Sequence, residues 1–102
     1  MKKYRLAPQA ENDLLEIFLT GISKWGYPQA EKYADELHYC FNMLADHPEM
    51  GATREDLKET PQSFIKGAHT IIYRSIDNGL IEIATILLQK MDIENRFNSP
   101  LK

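Results

Sequence analysis

Cysteine is almost missing from this chain: Cys40 is the only one in 102 residues. An intramolecular disulfide is therefore excluded, and so is a metal centre built on cysteine pairs. Long apolar runs are missing as well. No stretch approaches the roughly 20 residues that span a bilayer. The basic start Met1-Lys2-Lys3-Tyr4-Arg5 has no apolar segment behind it and does not read as a secretory signal. The expected compartment is the cytoplasm, with no membrane partner. Positive charge is also scarce. Twelve Lys and Arg against fifteen Asp and Glu give a formal net charge of −3, and the pI is near 5.6. Proteins that live on nucleic acid draw most of their non-specific affinity from basic patches on phosphate, so no direct sequence-specific nucleic-acid binding is expected. His38 and Cys40 lie two apart on a predicted helix and point to different sides, so no metal site and no cofactor are expected.

What is present is ordinary for a globular protein: 43% apolar and 26% charged residues. That balance argues against disorder, and the length suits one domain over residues 1–102 with a single core. Residues 3–7 read as a short strand. Pro8 fits the first turn of a helix, where its missing N–H costs nothing. From there Leu14, Ile17, Phe18, Gly21, Ile22 and Trp25 recur at helical spacing on one face, which places Trp25 against the core. Gly26 supplies the stop and Pro28 the next start. The second helix carries Ala30, Tyr33, Ala34, Leu37, Cys40, Phe41 and Leu44 on one side and ends at His47, before Pro48. So short a connection makes the two helices an antiparallel hairpin, with Cys40 as a packed core thiol.

Residues 48–63 are polar, contain two prolines, and read as a surface loop. Phe64 and Ile65 begin a strand before Gly67. Two β-rich runs then flank Asn78-Gly79, a pair that favours a two-residue type I′ hairpin turn. That turn sets Asp77 opposite Leu80 and Arg74 opposite Ile83. One face then holds Ile72, Arg74, Ile76, Ile81, Ile83, Thr85 and Leu87, and it is expected beneath the helices. The other holds Ile71, Tyr73, Ile86 and Leu88, an apolar patch the chain has too few residues to cover. Residues 90–102 read as a tail or short helix. The fold class is α+β: an N-terminal strand and a helical hairpin packed on a small antiparallel sheet.

These residues resemble the ParE branch of the ParE/RelE toxin superfamily over nearly the whole chain. Leu6, Ala10, Asp13-Leu14 and Ile17 are similar to that family's opening strand and first helix. Trp25-Gly26, Ala30, Tyr33 and Leu37 match its inter-helix turn and second helix, and Pro48, Gly51 and Arg54-Glu55-Asp56-Leu57 its loop. Gly67, His69 and Ile72-Tyr73-Arg74 resemble its central strand, and Ile86-Leu87 with Met91-Asp92 its closing strand and tail. The resemblance implies a type II toxin that traps DNA gyrase with its DNA cleaved. It further implies a ParD-like antitoxin that neutralises the toxin as a hetero-oligomer. In the family an arginine precedes the last apolar run, which closes on Leu-His; here those places hold Thr85 and Leu87-Leu88. A homologue that binds antitoxin but has lost toxicity is therefore one alternative.

A ribosome-dependent messenger ribonuclease of the RelE type is the other. Phosphoryl chemistry of that kind needs several fixed cations around one oxygen cluster. The last third of the chain offers only Arg74, Lys90, Arg96 and Lys102, and no tyrosine follows Tyr73. No catalytic residue is assigned, and the expected mode of action is binding. Contact candidates for antitoxin or target are Arg74, Tyr73, Ile71, Ile86 and Leu88, together with Met91, Asp92 and Phe97 of the tail. Arg74 has two readings: a partner contact, or an arginine paired with Glu82 or a helix acid. Met91, Ile93 and Phe97 also have two: one side of a contact helix, or a cap on the open end of the core. His69 is expected to be structural, held by one hydrogen bond.

Overall fold

A computed structural model describes residues 3–88. The element order is β1 (Tyr4–Leu6), α1 (Pro8–Trp25), α2 (Tyr27–Asp46), β2 (Ala52–Thr53), β3 (Gln62–Lys66), β4 (His69–Ile76) and β5 (Leu80–Leu88). The strands form one sheet in the order β1-β5-β4-β3-β2. β1 runs parallel to β5, and every other pairing is antiparallel. The α+β class and the helical hairpin stand as expected; the sheet is larger, with five strands, because the polar segment after α2 contributes β2 and the start of β3.

The helix boundaries follow the punctuation in the sequence. Pro8 and Pro28 each sit in a first turn, and Gly26, at φ 91°, separates α1 from α2. The helices close on each other through Gly21, where an added Cβ would lie 3.1 Å from the Cβ of Ala30. One side of α2 (Leu37, Cys40, Phe41, Leu44 and Ala45) is buried with Tyr4, Ala10, Ile71, Tyr73, Ile81, Ile83 and Ile86 in a single apolar cluster. Cys40 is a core thiol, as its place on the stripe predicted, and burial pushes its pKa up.

The hairpin register corrects the sequence reading. Asp77–Gly79 form a three-residue 3₁₀ turn that ends on Gly79 at φ 73°. A type I′ turn needs positive φ at both central residues, whereas a longer loop needs one left-handed residue at its end. The pairing therefore starts at Ile76 opposite Leu80 and puts Arg74 opposite Glu82. A one-residue slip exchanges the faces of a strand. A bulge then skips Ala84, so that Ile72 meets Thr85 and Ile71 meets Ile86. The combined result keeps Ile81 and Ile83 under the helices, as expected, and exchanges the faces of β4 and of β5 beyond the bulge. Ile71, Tyr73 and Ile86 lie under the helices at 0, 0 and 4% exposure, so they are core and do not form an uncovered patch. Ile72 is on the outer side, yet it too is fully buried. Leu57 is buried as well, within a tight turn closed by Arg54 N–H to Pro61 O and Thr60 N–H to Leu57 O. The segment read as a plain surface loop is thus anchored by an apolar residue of its own.

Candidate functional site: the groove between the hairpin and the end of the sheet

β1 pairs with β5 only over Ile81–Ile83, and Ala7 N–H adds a last bond to Ile83 O at 2.9 Å. Past that point the chain turns into α1, and a side chain takes over the strand edge. One carboxylate oxygen of Asp13 accepts the Ile86 N–H at 2.9 Å and also the Thr85 hydroxyl. Both donors are buried or partly so, and an edge amide left without such a partner would cost about 1–3 kcal/mol. Asp13 thereby fixes α1 beside the end of β5.

Beside this clamp, residues of both helices and of the ends of β4 and β5 line an open groove of about 680 Å³. Ile17, Ala30, Ile86, Leu87 and Leu88 line it with apolar groups, and Asp13, Glu16, Lys24 and Trp25 line it as well. Trp25 is not in the core. It is 65% exposed, because the close Gly21–Ala30 approach leaves no room for an indole between the helices; a Cβ added at Gly21 would stand 3.8 Å from its ring. Leu15, Leu19 and Tyr27 are also more than half exposed, so the hairpin presents apolar groups to solvent.

Two polar side chains, Tyr33 and His69, also line the groove. Tyr33 donates to Lys66 O at 3.0 Å and lies 2.7 Å from Nδ1 of His69. With the phenol proton spent on the carbonyl, Nδ1–H of His69 donates to Tyr33 Oη, and Nε2 of the neutral ring keeps its lone pair. Burial pushes the His69 pKa down and that of Tyr33 up. His69 thus has a hydrogen-bond partner in Tyr33 at the start of β4, and it also borders the groove.

The sequence-predicted contact residues are dispersed. Leu88 is half-buried in the groove wall; Ile86 reaches the same wall but is core; Ile71 and Tyr73 are core alone. Tyr73 uses its hydroxyl internally, donating to Pro48 O at 2.6 Å and accepting from Gly51 N–H at 2.9 Å. Arg74 lies on the opposite face of the sheet in a ladder of charge: Arg5 to Glu82 at 3.2 Å, Glu82 to Arg74 at 3.1 Å, and Arg74 to Glu59. The Glu82 pairing read from the sequence is present. Met91, Asp92 and Phe97 lie outside the described residues. The groove itself escaped the sequence reading; Gly21 was its one visible signal, a small residue on an apolar helix stripe.

The geometry so far is a helical hairpin clamped to a five-stranded sheet, with an apolar groove at the strand ends. The model of the ParE toxin of the type II toxin–antitoxin system parDE matches residues 4–93. The chain belongs to this family. Toxin ParE1 of Caulobacter vibrioides is 37% identical over 92 residues, which is 90% of this chain and 94% of that protein. Toxin ParE1 of Mycobacterium tuberculosis H37Rv is 32% identical over the same shares. Among solved structures, a chain of the chromosomal ParDE system from P. aeruginosa superposes with a TM-score of 0.70 at 18% identity, covering 86% of this chain and 96% of that one. That likeness establishes the α+β fold. Among the described residues, no helix of this ParE-family toxin is long and apolar enough to cross a membrane.

Proposed function

We propose that this ParE-family toxin inhibits DNA gyrase by binding it, without a reaction of its own, and is neutralised by a cognate ParD-like antitoxin. The observation that carries the reading is the family match across residues 4–93. The groove supports it: its walls are apolar, its histidine is committed through Nδ1 to Tyr33, and such a surface suits a folded-on protein segment. Arg74 supports binding over phosphoryl chemistry, since Glu59 and Glu82 already hold its guanidinium. We assign Leu88 and the groove it walls to antitoxin contact, and the charged ladder around Arg74 with Asp92 to target contact.

Pulse labelling after expression without antitoxin tests the reading. Thymidine incorporation should fall first, with filamentation and a DNA-damage response, while amino-acid incorporation continues. Amino-acid incorporation that stops first would point to the ribosome. Normal growth at confirmed expression would point to a homologue that has lost toxicity.

A further inference from the structure

The segment 54–61, which leads into β3, holds two side-chain-bearing residues in a conformation that favours glycine. Glu59 and Thr60 both take positive φ, 65° and 51°, and that left-handed backbone is strained for both. Features away from the Glu59 side chain keep them there. Leu57 is buried at 3% exposure, Arg54 N–H donates to Pro61 O at 2.8 Å, and Thr60 N–H donates to Leu57 O at 3.1 Å. The Glu59 side chain is 70% exposed, and its carboxylate accepts from Nη1 of Arg74. An ion pair so open to solvent stabilises by less than two left-handed residues cost. The pair therefore does not hold the segment; the segment holds Glu59 over Arg74.

Arg74 does not depend on Glu59 for its place. Its Nε and Nη2 both donate to one oxygen of Glu82, at 3.3 and 3.1 Å. Glu82 is 13% exposed and is held in turn by Arg5 at 3.2 Å. Without Glu59 the guanidinium would keep its orientation and turn Nη1 to solvent. Arg5, Glu82 and Arg74 then leave one positive charge, which a single carboxylate balances. A phosphate group, with nearly two charges at neutral pH, would overcharge a site that already contains Glu82.

We propose that Glu59 is a displaceable cap on a carboxylate-binding site centred on Arg74, and that an acidic side chain of a protein partner replaces it. The proposal deepens the assignment of this ladder to target contact by naming the chemical group it takes. Glu59 itself shows that Nη1 of Arg74 accepts a carboxylate as its partner. Rotation of the Glu59 side chain frees Nη1 while Leu57 and the two backbone bonds stay in place, so entry needs no unfolding. As a tethered competitor, Glu59 weakens partner binding by the fraction of time it occupies the arginine.

Nuclear magnetic resonance on the full chain, labelled with ¹³C and ¹⁵N and made by cell-free synthesis, decides it with a blocked tetraglutamate peptide as the probe. The peptide takes the place of the partner, so the result does not depend on whether gyrase is the target. The Arg74 Nε–Hε signal should shift on titration. Binding should tighten about two- to fivefold in Glu59→Gln, the weight of one exposed pair, and Arg74→Gln should abolish that gain. Glu55→Gln removes the same charge from the same segment. Among the described residues Glu59 and Glu82 are the carboxylates that act on Arg74, so Glu55→Gln should bind like the parent. The Leu57 methyl shifts should be the same in the parent and in Glu59→Gln. Equal tightening by Glu55→Gln would overturn the proposal, since charge alone would then explain the gain. An unmoved Arg74 signal, Leu57 methyls displaced in Glu59→Gln, or a tetralysine peptide that binds more tightly than tetraglutamate would overturn it too.

Discussion

Tyr73 shows what one buried hydroxyl organises. It bridges Pro48 O and Gly51 N–H from the middle of β4, and so ties the segment after α2 to the sheet. Tyr73→Phe leaves the Gly51 N–H without its acceptor, while Pro48 O keeps a bond from Gln62 Nε2 at 2.8 Å. The expected loss is about 1–3 kcal/mol, read as a lower urea midpoint with an unchanged slope. At Gly51 an added Cβ would stand 2.2 Å from the Tyr73 oxygen. Gly51→Ala should therefore destabilise strongly, and less than additively with Tyr73→Phe, since both act on one contact. His69 sets a pH dependence. Burial lowers its folded pKa below the ordinary value of 6.5, so the unfolded chain binds its proton first as pH falls. Its contribution is complete above about pH 6.5 and is lost below it. Asp46 and Asp56, whose pKa values Lys3 and Arg54 respectively pull down, titrate at still lower pH. Urea midpoints between pH 7.5 and 5 should fall on acidification, and His69→Gln should flatten that slope.

At the scale of elements, the helices were legible and the sheet only partly so. Spacing on α1 and α2, with Gly26 and the two prolines as punctuation, gave their ends and their hairpin, because a helix stripe is a local pattern. The register was not legible. Asn78-Gly79 admits both a two-residue and a three-residue loop, and the choice decides which face Arg74 and Tyr73 occupy; the bulge at Ala84 then reverses the relation again. Neither leaves a mark in a run of isoleucines that is apolar on both faces. Leu57 was hidden by its polar neighbours, and Trp25 was misplaced because the stripe ends where Gly21 brings the helices together. The turn itself is testable. Among the described residues nothing lies within 4 Å of a Cβ at Gly79, so Gly79→Ala should cost what its left-handed backbone costs a side chain, about 1–2 kcal/mol, measurable by thermal or urea unfolding. Asp13→Ala should cost about 1–3 kcal/mol by freeing the Thr85 and Ile86 donors; unchanged stability would mean that α1 does not depend on this clamp.

Across the whole molecule, the two faces of the sheet divide the work. The inner face builds the core with the hairpin, and the outer face carries the Arg5–Glu82–Arg74–Glu59 ladder over a small second buried layer. Arg74 is itself exposed and Glu82 keeps Arg5 as a partner, and pairs at the surface contribute little to stability, so Arg74→Ala should melt close to the parent protein, which makes it a clean probe of contact with a target. The groove was legible in the sequence only as separate residues, since α1, α2, β4 and β5 meet there from positions up to 75 apart. The central claim is that this ParE-family toxin acts on gyrase by binding alone. Its most direct measurement is a cleavage assay with purified gyrase, plasmid DNA, ATP and the purified protein, stopped with detergent and protease. The account predicts linear DNA that accumulates with toxin and disappears when the cognate antitoxin is added first. Gyrase that supercoils the plasmid unchanged, while the same protein cuts messenger RNA on ribosomes, would contradict it.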